Sequence, residues 1–249
     1  MATANPAMNP AVYERAGLAE SPAAVMTVQG AALKTAVLLG ILLLTGVFTW
    51  TQAMNGETGL ANGLMALGGI GGFIVALVTV FFPKAAPITA PIYAALEGLL
   101  LGGVSASFET VYSGIVIQAV SLSVGILAVM LTIYATGIIK ATENFKIGVA
   151  AATGGICLVY LADLILSWFG IRVPFIHEGG IVGIGFSLLV VGIAALNFIL
   201  DFDFIEKGVE QGAPKYMEWY GGFSLLVTLI WMYLEILRLL AKISGGSRQ

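Results

Sequence analysis

Apolar residues gather along the chain in seven long runs, at about 31–53, 60–82, 87–108, 112–139, 147–169, 180–204 and 217–241. Crossing about 30 Å of hydrocarbon takes roughly 20 helical residues, so each run is long enough to span a membrane. Lipid offers a backbone no hydrogen bonds, so a span must be a helix or part of a closed barrel, and unbroken runs of this length predict helices. The separators are short and rich in turn residues: "MNGETG", "FFPKAAP", "FETVYSG", "KATENFK", "GIRVPFIHEGG" and "EKGVEQGAPK". None can hold a soluble domain, and no internal repeat is visible. The predicted fold is an all-α integral membrane protein, a seven-transmembrane-helix bundle over 29–241. A flexible tail is expected over 1–28 and a short C-terminal tail over 242–249.

Composition agrees with this pattern. The chain is 59% hydrophobic and 10% charged, with a mean hydropathy of +0.98, far from a soluble domain. The net charge of -3 and the lack of a basic cluster suggest neither nucleic acid nor an acidic substrate as a partner, and no nucleic acid is expected. The lone Cys157 cannot form an internal disulfide. Residues 1–28 have no apolar core and read as a tail on the membrane surface, not as a signal peptide. Lys84, Lys140, Lys146, Lys207 and Lys215 fall in loops on the N-terminal side, with Arg15 and Lys34 flanking the first span, whereas the opposite loops hold only Arg172. The positive-inside rule therefore predicts a cytoplasmic N terminus, and the expected location is the plasma (inner) membrane. Arg238, Lys242 and Arg248 at the other end run against that pattern.

Thirty-two glycines concentrate inside the spans, at 67–73, 97–103, 153–156 and 179–185. Close helix approach is the expectation, because burying apolar groups gives little driving force between helices in lipid and small residues permit backbone contact. No strand or βαβ unit surrounds these glycines, so they are not nucleotide loops.

Six carboxylates stand within or at the edges of the spans: Glu97, Asp163, Asp201, Asp203, Glu218 and Glu235. Each would cost about 2.5–3.5 kcal/mol ionised at the bilayer centre. Arg238 is the one obvious intramembrane cation, so some carboxyls are expected to be neutral, since burial and like charges both disfavour ionisation. Thr89, Tyr93 and Glu97 share one helical face, and Cys157, Tyr160, Asp163 and Ser167 form a polar stripe on the fifth span. Asn197 and Asp201 stack at i, i+4 toward the interior, whereas Asp203 turns away toward Glu206, Lys207 and Glu210 at the helix exit. Glu235 and Arg238 read as an ion pair near the interface. Glu218, among Tyr216, Trp219 and Tyr220, reads as part of an aromatic belt.

"MTVQGAALKTAVLL" (26–39), "APITAPIYAALEGLLLG" (86–102), "LNFILDFDFIEKG" (196–208) and "GAPKYMEWYGGFSLLVTLIWMYLEILRLL" (212–240) resemble the Bax inhibitor-1/YccA family in its bacterial form. The resemblance implies a bundle whose last helix is central and, for several members, a pH-sensitive calcium leak. It attributes the leak to two aspartates that share a proton in a closed state. The sixth-span aspartate matches Asp201. The seventh-span position falls on Thr228, which cannot titrate, and leaves Glu97, Asp163, Glu218 and Glu235 as substitutes. Calcium favours several oxygen ligands, which intramembrane carboxylates with Asn, Thr and backbone carbonyls supply. Two nearby carboxyls would share a proton at low pH and separate as both ionise. Asp201 is expected in such a site, with Glu97 or Asp163 as its partner and calcium or protons as the transported ion; no cofactor is expected.

Catalysis is not expected. Asp163 and Asp201 lie in consecutive spans, as in intramembrane aspartyl proteases, but Phe198, Ile199 and Leu200 stand where a GxGD motif would be. His177 lies in a loop beside Glu178, and no HExxH or Cys/His cluster occurs. A proton-coupled transporter is disfavoured by the missing inverted repeat. The stronger rival is a non-conducting regulator that binds a membrane quality-control protease or a stress or cell-death pathway protein. The feature that would serve it is the N-terminal tail, whose deletion would then abolish regulation and leave ion flux intact.

Overall fold

The computed structural model describes residues 25–170 and 180–246. The tail before Val25 and the 171–179 loop, with Arg172, His177 and Glu178, lie outside the described residues. Seven helices are long and apolar enough to cross a membrane: α1 (Val28–Met54), α2 (Thr58–Phe81), α3 (Ala86–Val111), α4 (Ile115–Ala135), α5 (Glu143–Trp168), α6 (Ile181–Glu210) and α7 (Met217–Gly246). The protein is an all-α, seven-helix membrane bundle.

Local chemistry sets the boundaries. Thr27 caps α1, its hydroxyl oxygen accepting from the Gly30 N–H at 2.9 Å. Gly56, at φ 88°, supplies the left-handed residue that turns α1 into α2. Pro83 opens a 3-10 turn, Pro83–Ala85, that redirects the chain into α3. Thr142 caps α5. The fourth span stops at Ala135, short of the predicted 139, because Gly137 takes φ 70°. α6 runs on to Glu210, and α7 to Gly246, so Lys242 is helical rather than part of a tail.

Two compact units divide the chain. The first holds α1, α2, α3 and Asp203–Val227; the second holds Tyr112–Phe202 and the chain from Thr228 onward. In the first unit, α3 packs against α1 and α2 through missing side chains. A Cβ on Gly98 would strike the Leu42 carbonyl and Thr45, one on Gly102 the Gly46 carbonyl, and one on Gly68 the Leu96 carbonyl. This is the close approach expected of glycines in lipid. The later glycines depart from it: Gly154, Gly155 and Gly185 have nothing within 4 Å of a built Cβ. The outward faces of α1 and α2 are apolar, with Leu44, Ile70 and Phe73 exposed, as a lipid-facing surface requires. α7 contributes to both units and is the most deeply buried span, 56% of its apolar stretch against 17% for α1.

Candidate functional site

The polar interior of the second unit rests on three helices. The inward face of α6 runs Gly183, Ser187, Val190, Ala194, Asn197, Asp201, a spacing of four and three that keeps one stripe turned in. On α5 the inward face runs Val149, Thr153, Ile156, Tyr160, Asp163. Of the polar stripe expected on this helix, Tyr160 and Asp163 turn inward; Cys157, one residue off that four-three rhythm, is exposed, and so is Ser167, which keeps the rhythm but stands in the last turn of the helix. From α7 come Thr228, Glu235 and Lys242, each seven residues apart and each buried.

Polar contacts tie each pair of these helices. The Asn197 side-chain amide donates to Thr153 Oγ1 and to the Ile193 carbonyl, both at 2.8 Å, joining α5 to α6. The Tyr160 hydroxyl donates to Glu235 Oε2 at 2.7 Å, joining α5 to α7. Lys242 Nζ donates to Ser187 Oγ at 2.8 Å and to the Gly183 carbonyl at 3.0 Å, joining α6 to α7. Arg238 also reaches Glu235 Oε2 at 2.9 Å, and its guanidinium lies 5.1 Å from the centre of the Tyr160 ring. The expected Glu235–Arg238 pair is therefore present, but Glu235 is only 1% exposed, so the pair points inward from Arg238 rather than lying at the interface.

These contacts fix the levels of the acidic groups. Thr153 and Asn197 share a rung, and Thr228, seven residues before Glu235 as Thr153 is seven before Tyr160, stands level with them. Asp201 lies one turn past Asn197 on α6, and is fully buried. Asp163 lies ten residues past Thr153 on α5, in the opposite direction because the two helices run antiparallel. At 1.5 Å per residue, Asp163 and Asp201 stand about 21 Å apart along the helix axes. The expectation that Asp163 shares a proton with Asp201 is overturned by this distance. Glu235 is on the Asp163 side as well. One turn from Asp201, in its own unit, lies the Thr153–Asn197 rung of amide and hydroxyl groups.

The first unit holds the remaining acidic residues. Glu97 is 9% exposed on α3, facing Gly72 of α2. Asp203 turns away from the stripe of Asp201 and pairs with Lys207 at 3.1 Å, as its place at the helix exit implied. Glu218 corrects the aromatic-belt reading. It is 1% exposed, and its Oε1 accepts from the Thr27 N–H and the Thr27 hydroxyl, both at 3.1 Å. Gly30 leaves the space its carboxyl occupies. Beside this clasp the Met26 N–H donates to the Ala213 carbonyl at 2.8 Å, Val25 bridges Pro214, and Lys34 lies 4.8 Å from the centre of the Trp219 ring. Tyr216, in the turn before α7, has its phenol pushed above the usual range by burial and stays neutral. Sequence reasoning missed Thr27, Thr153, Ser187 and Lys242. Lys242 was findable, since it continues the heptad of Thr228 and Glu235.

Among the described residues no three His, Cys, Asp or Glu side chains gather as a metal-binding group. The family described as Bax inhibitor 1 like matches the chain over residues 5–245. No curated protein matches it.

Proposed function

Because the chain belongs to the Bax inhibitor 1 like family, we propose that it is a pH-sensitive leak for calcium or a similar cation, with the Asp201 carboxyl as its proton- and cation-binding group. The observation that carries this reading is the complete burial of Asp201 one turn from the Thr153–Asn197 rung. An ionised carboxylate beside amide and hydroxyl oxygens is the ligand chemistry a hard cation favours. A protonated one is neutral and offers a cation little. The switch then needs no second carboxylate: Thr228 stands where a partner aspartate would, and the pH response belongs to Asp201. The leak closes at low pH and opens as pH rises. The lysine-rich loops support a cytoplasmic N terminus, the plasma membrane is the proposed location, and no catalytic role is proposed for any residue. Calcium flux into proteoliposomes, wild type against Asp201→Asn, tests the reading.

A second reading, a non-conducting regulator of a membrane protease or stress pathway, is favoured by one observation. The clasp on Val25 and Met26 fixes the start of the described chain against Ala213 and Pro214. Removing residues 1–24 separates the two: it leaves flux unchanged under the first reading and abolishes regulation under the second.

A further inference from the structure

Glu97 stands eleven residues into the 26-residue α3, deep in the bilayer-spanning part of the first unit. Its side chain is directed at α2, where Gly72 leaves a notch: a Cβ built on Gly72 would lie 2.7 Å from Glu97 Oε1 and 3.3 Å from its carboxyl carbon. One turn earlier, Gly68 lies against the Leu96 carbonyl and the Leu100 backbone, so the two helices touch directly beside the notch. Among the described residues Glu97 makes no hydrogen bond and no ion pair, although it is 9% exposed.

The neighbouring elements offer it no counter-charge. α2 carries no titratable side chain, and α1 carries only Lys34, which lies over Trp219. Lys84 in the 3-10 turn is exposed. Asp203 and Lys207 pair with each other, and Glu218 is held by Thr27. On α3 itself the nearest titratable group is Tyr93, whose ring meets Phe223 edge-on at 4.9 Å. From α7 comes Tyr220, fully buried, whose hydroxyl has no hydrogen-bond partner among the described residues.

We propose that Glu97, seated in the Gly72 notch, is a second proton-binding site of the protein, built wholly within the first unit and independent of Asp201. A neutral carboxyl fits between two touching helices; an ionised one has no cation there and must leave the notch or draw in water. Proton release from Glu97 therefore loosens the α2–α3 contact, and the first unit has its own response to pH.

Dicyclohexylcarbodiimide, an apolar reagent, tests this on the intact protein in lipid vesicles. It takes the carboxyl proton onto its own nitrogen while the carboxylate oxygen bonds to its central carbon, and the adduct rearranges to a stable N-acylurea with no leaving group. Peptide mass spectrometry then locates the adduct. The expected result is modification at Glu97 that falls as pH rises, with the same profile in Asp201→Asn. Gly72→Ala, which puts a methyl group where the carboxyl lies, is expected to change the Glu97 rate several-fold. Glu97 unmodified at every pH, a profile that disappears in Asp201→Asn, or a rate unchanged by Gly72→Ala would each overturn the proposal. None of these outcomes depends on whether the protein conducts calcium.

Discussion

Glu218 lies 191 residues from Thr27, yet its carboxylate accepts from both the backbone N–H and the hydroxyl of that residue at 3.1 Å. The first turn of α1 presents unpaired N–H groups and partial positive charge, which favour a carboxylate placed against them. The same Thr27 hydroxyl oxygen accepts from Gly30, so one side chain both caps α1 and ties it to α7.

Thr27→Ala removes the cap and one bond to a buried carboxylate, and is expected to lower stability by about 1–2 kcal/mol. Thr27→Ser keeps both contacts and should restore most of it. Gly30→Ala should be worse than either, because its methyl group collides with the Glu218 carboxyl. Thermal unfolding in detergent, comparing the three variants, checks the order.

The α1–α3 contact depends on absent side chains rather than on burial of large ones. Gly102→Leu would drive a side chain into the Gly46 backbone and is expected to destabilise by at least about 1–3 kcal/mol, the usual cost of overpacking. Gly154→Leu, on a helix face with open space around it, should cost little. Equal losses of thermal stability would contradict the assignment of the two glycines to different surroundings.

In the second unit Glu235 is buried and takes hydrogen bonds from Tyr160 and Arg238 on one oxygen. Tyr160→Phe deletes one charge-assisted bond and should cost about 1.5–3 kcal/mol. Pairing Tyr160→Phe with Glu235→Gln should recover part of the loss, since the carboxylate that needs the bond is then gone. A double-mutant cycle on unfolding midpoints measures the coupling, and strict additivity of the two losses would show that the bond contributes nothing.

Much of this arrangement was legible from periodicity alone. The separation of Asp201 from Asp203 follows from their two-residue spacing on a helix: the first joins the stripe of Asn197 and the second turns to Lys207. Seven apolar runs gave seven helices for the same reason, that a backbone in lipid must satisfy itself. Glu218 was misread because its partner lies 191 residues away, and no local spacing reports a contact of that range. The pairing of Asp163 with Asp201 failed on a different point. Both do sit on inward faces, but each stands late in its span, and consecutive spans cross in opposite directions, so the two lie at opposite ends of the unit; this level was readable from the alternation of the spans as well as from their faces. The polar stripe expected on α5 holds at Tyr160 and Asp163 and fails at its two ends: Ile156 rather than Cys157 turns inward, and Ser167 stands exposed in the last turn.

The pH profile of calcium flux into proteoliposomes, measured on wild type and Asp201→Asn side by side, tests the central claim most directly. Flux through the wild type is expected to rise with pH by up to about tenfold per unit while Asp201 titrates, and Asp201→Asn, permanently neutral, is expected to stay at the low, acid level throughout. Wild type that passes no calcium at any pH, or an Asp201→Asn variant that keeps the wild-type profile, would contradict it.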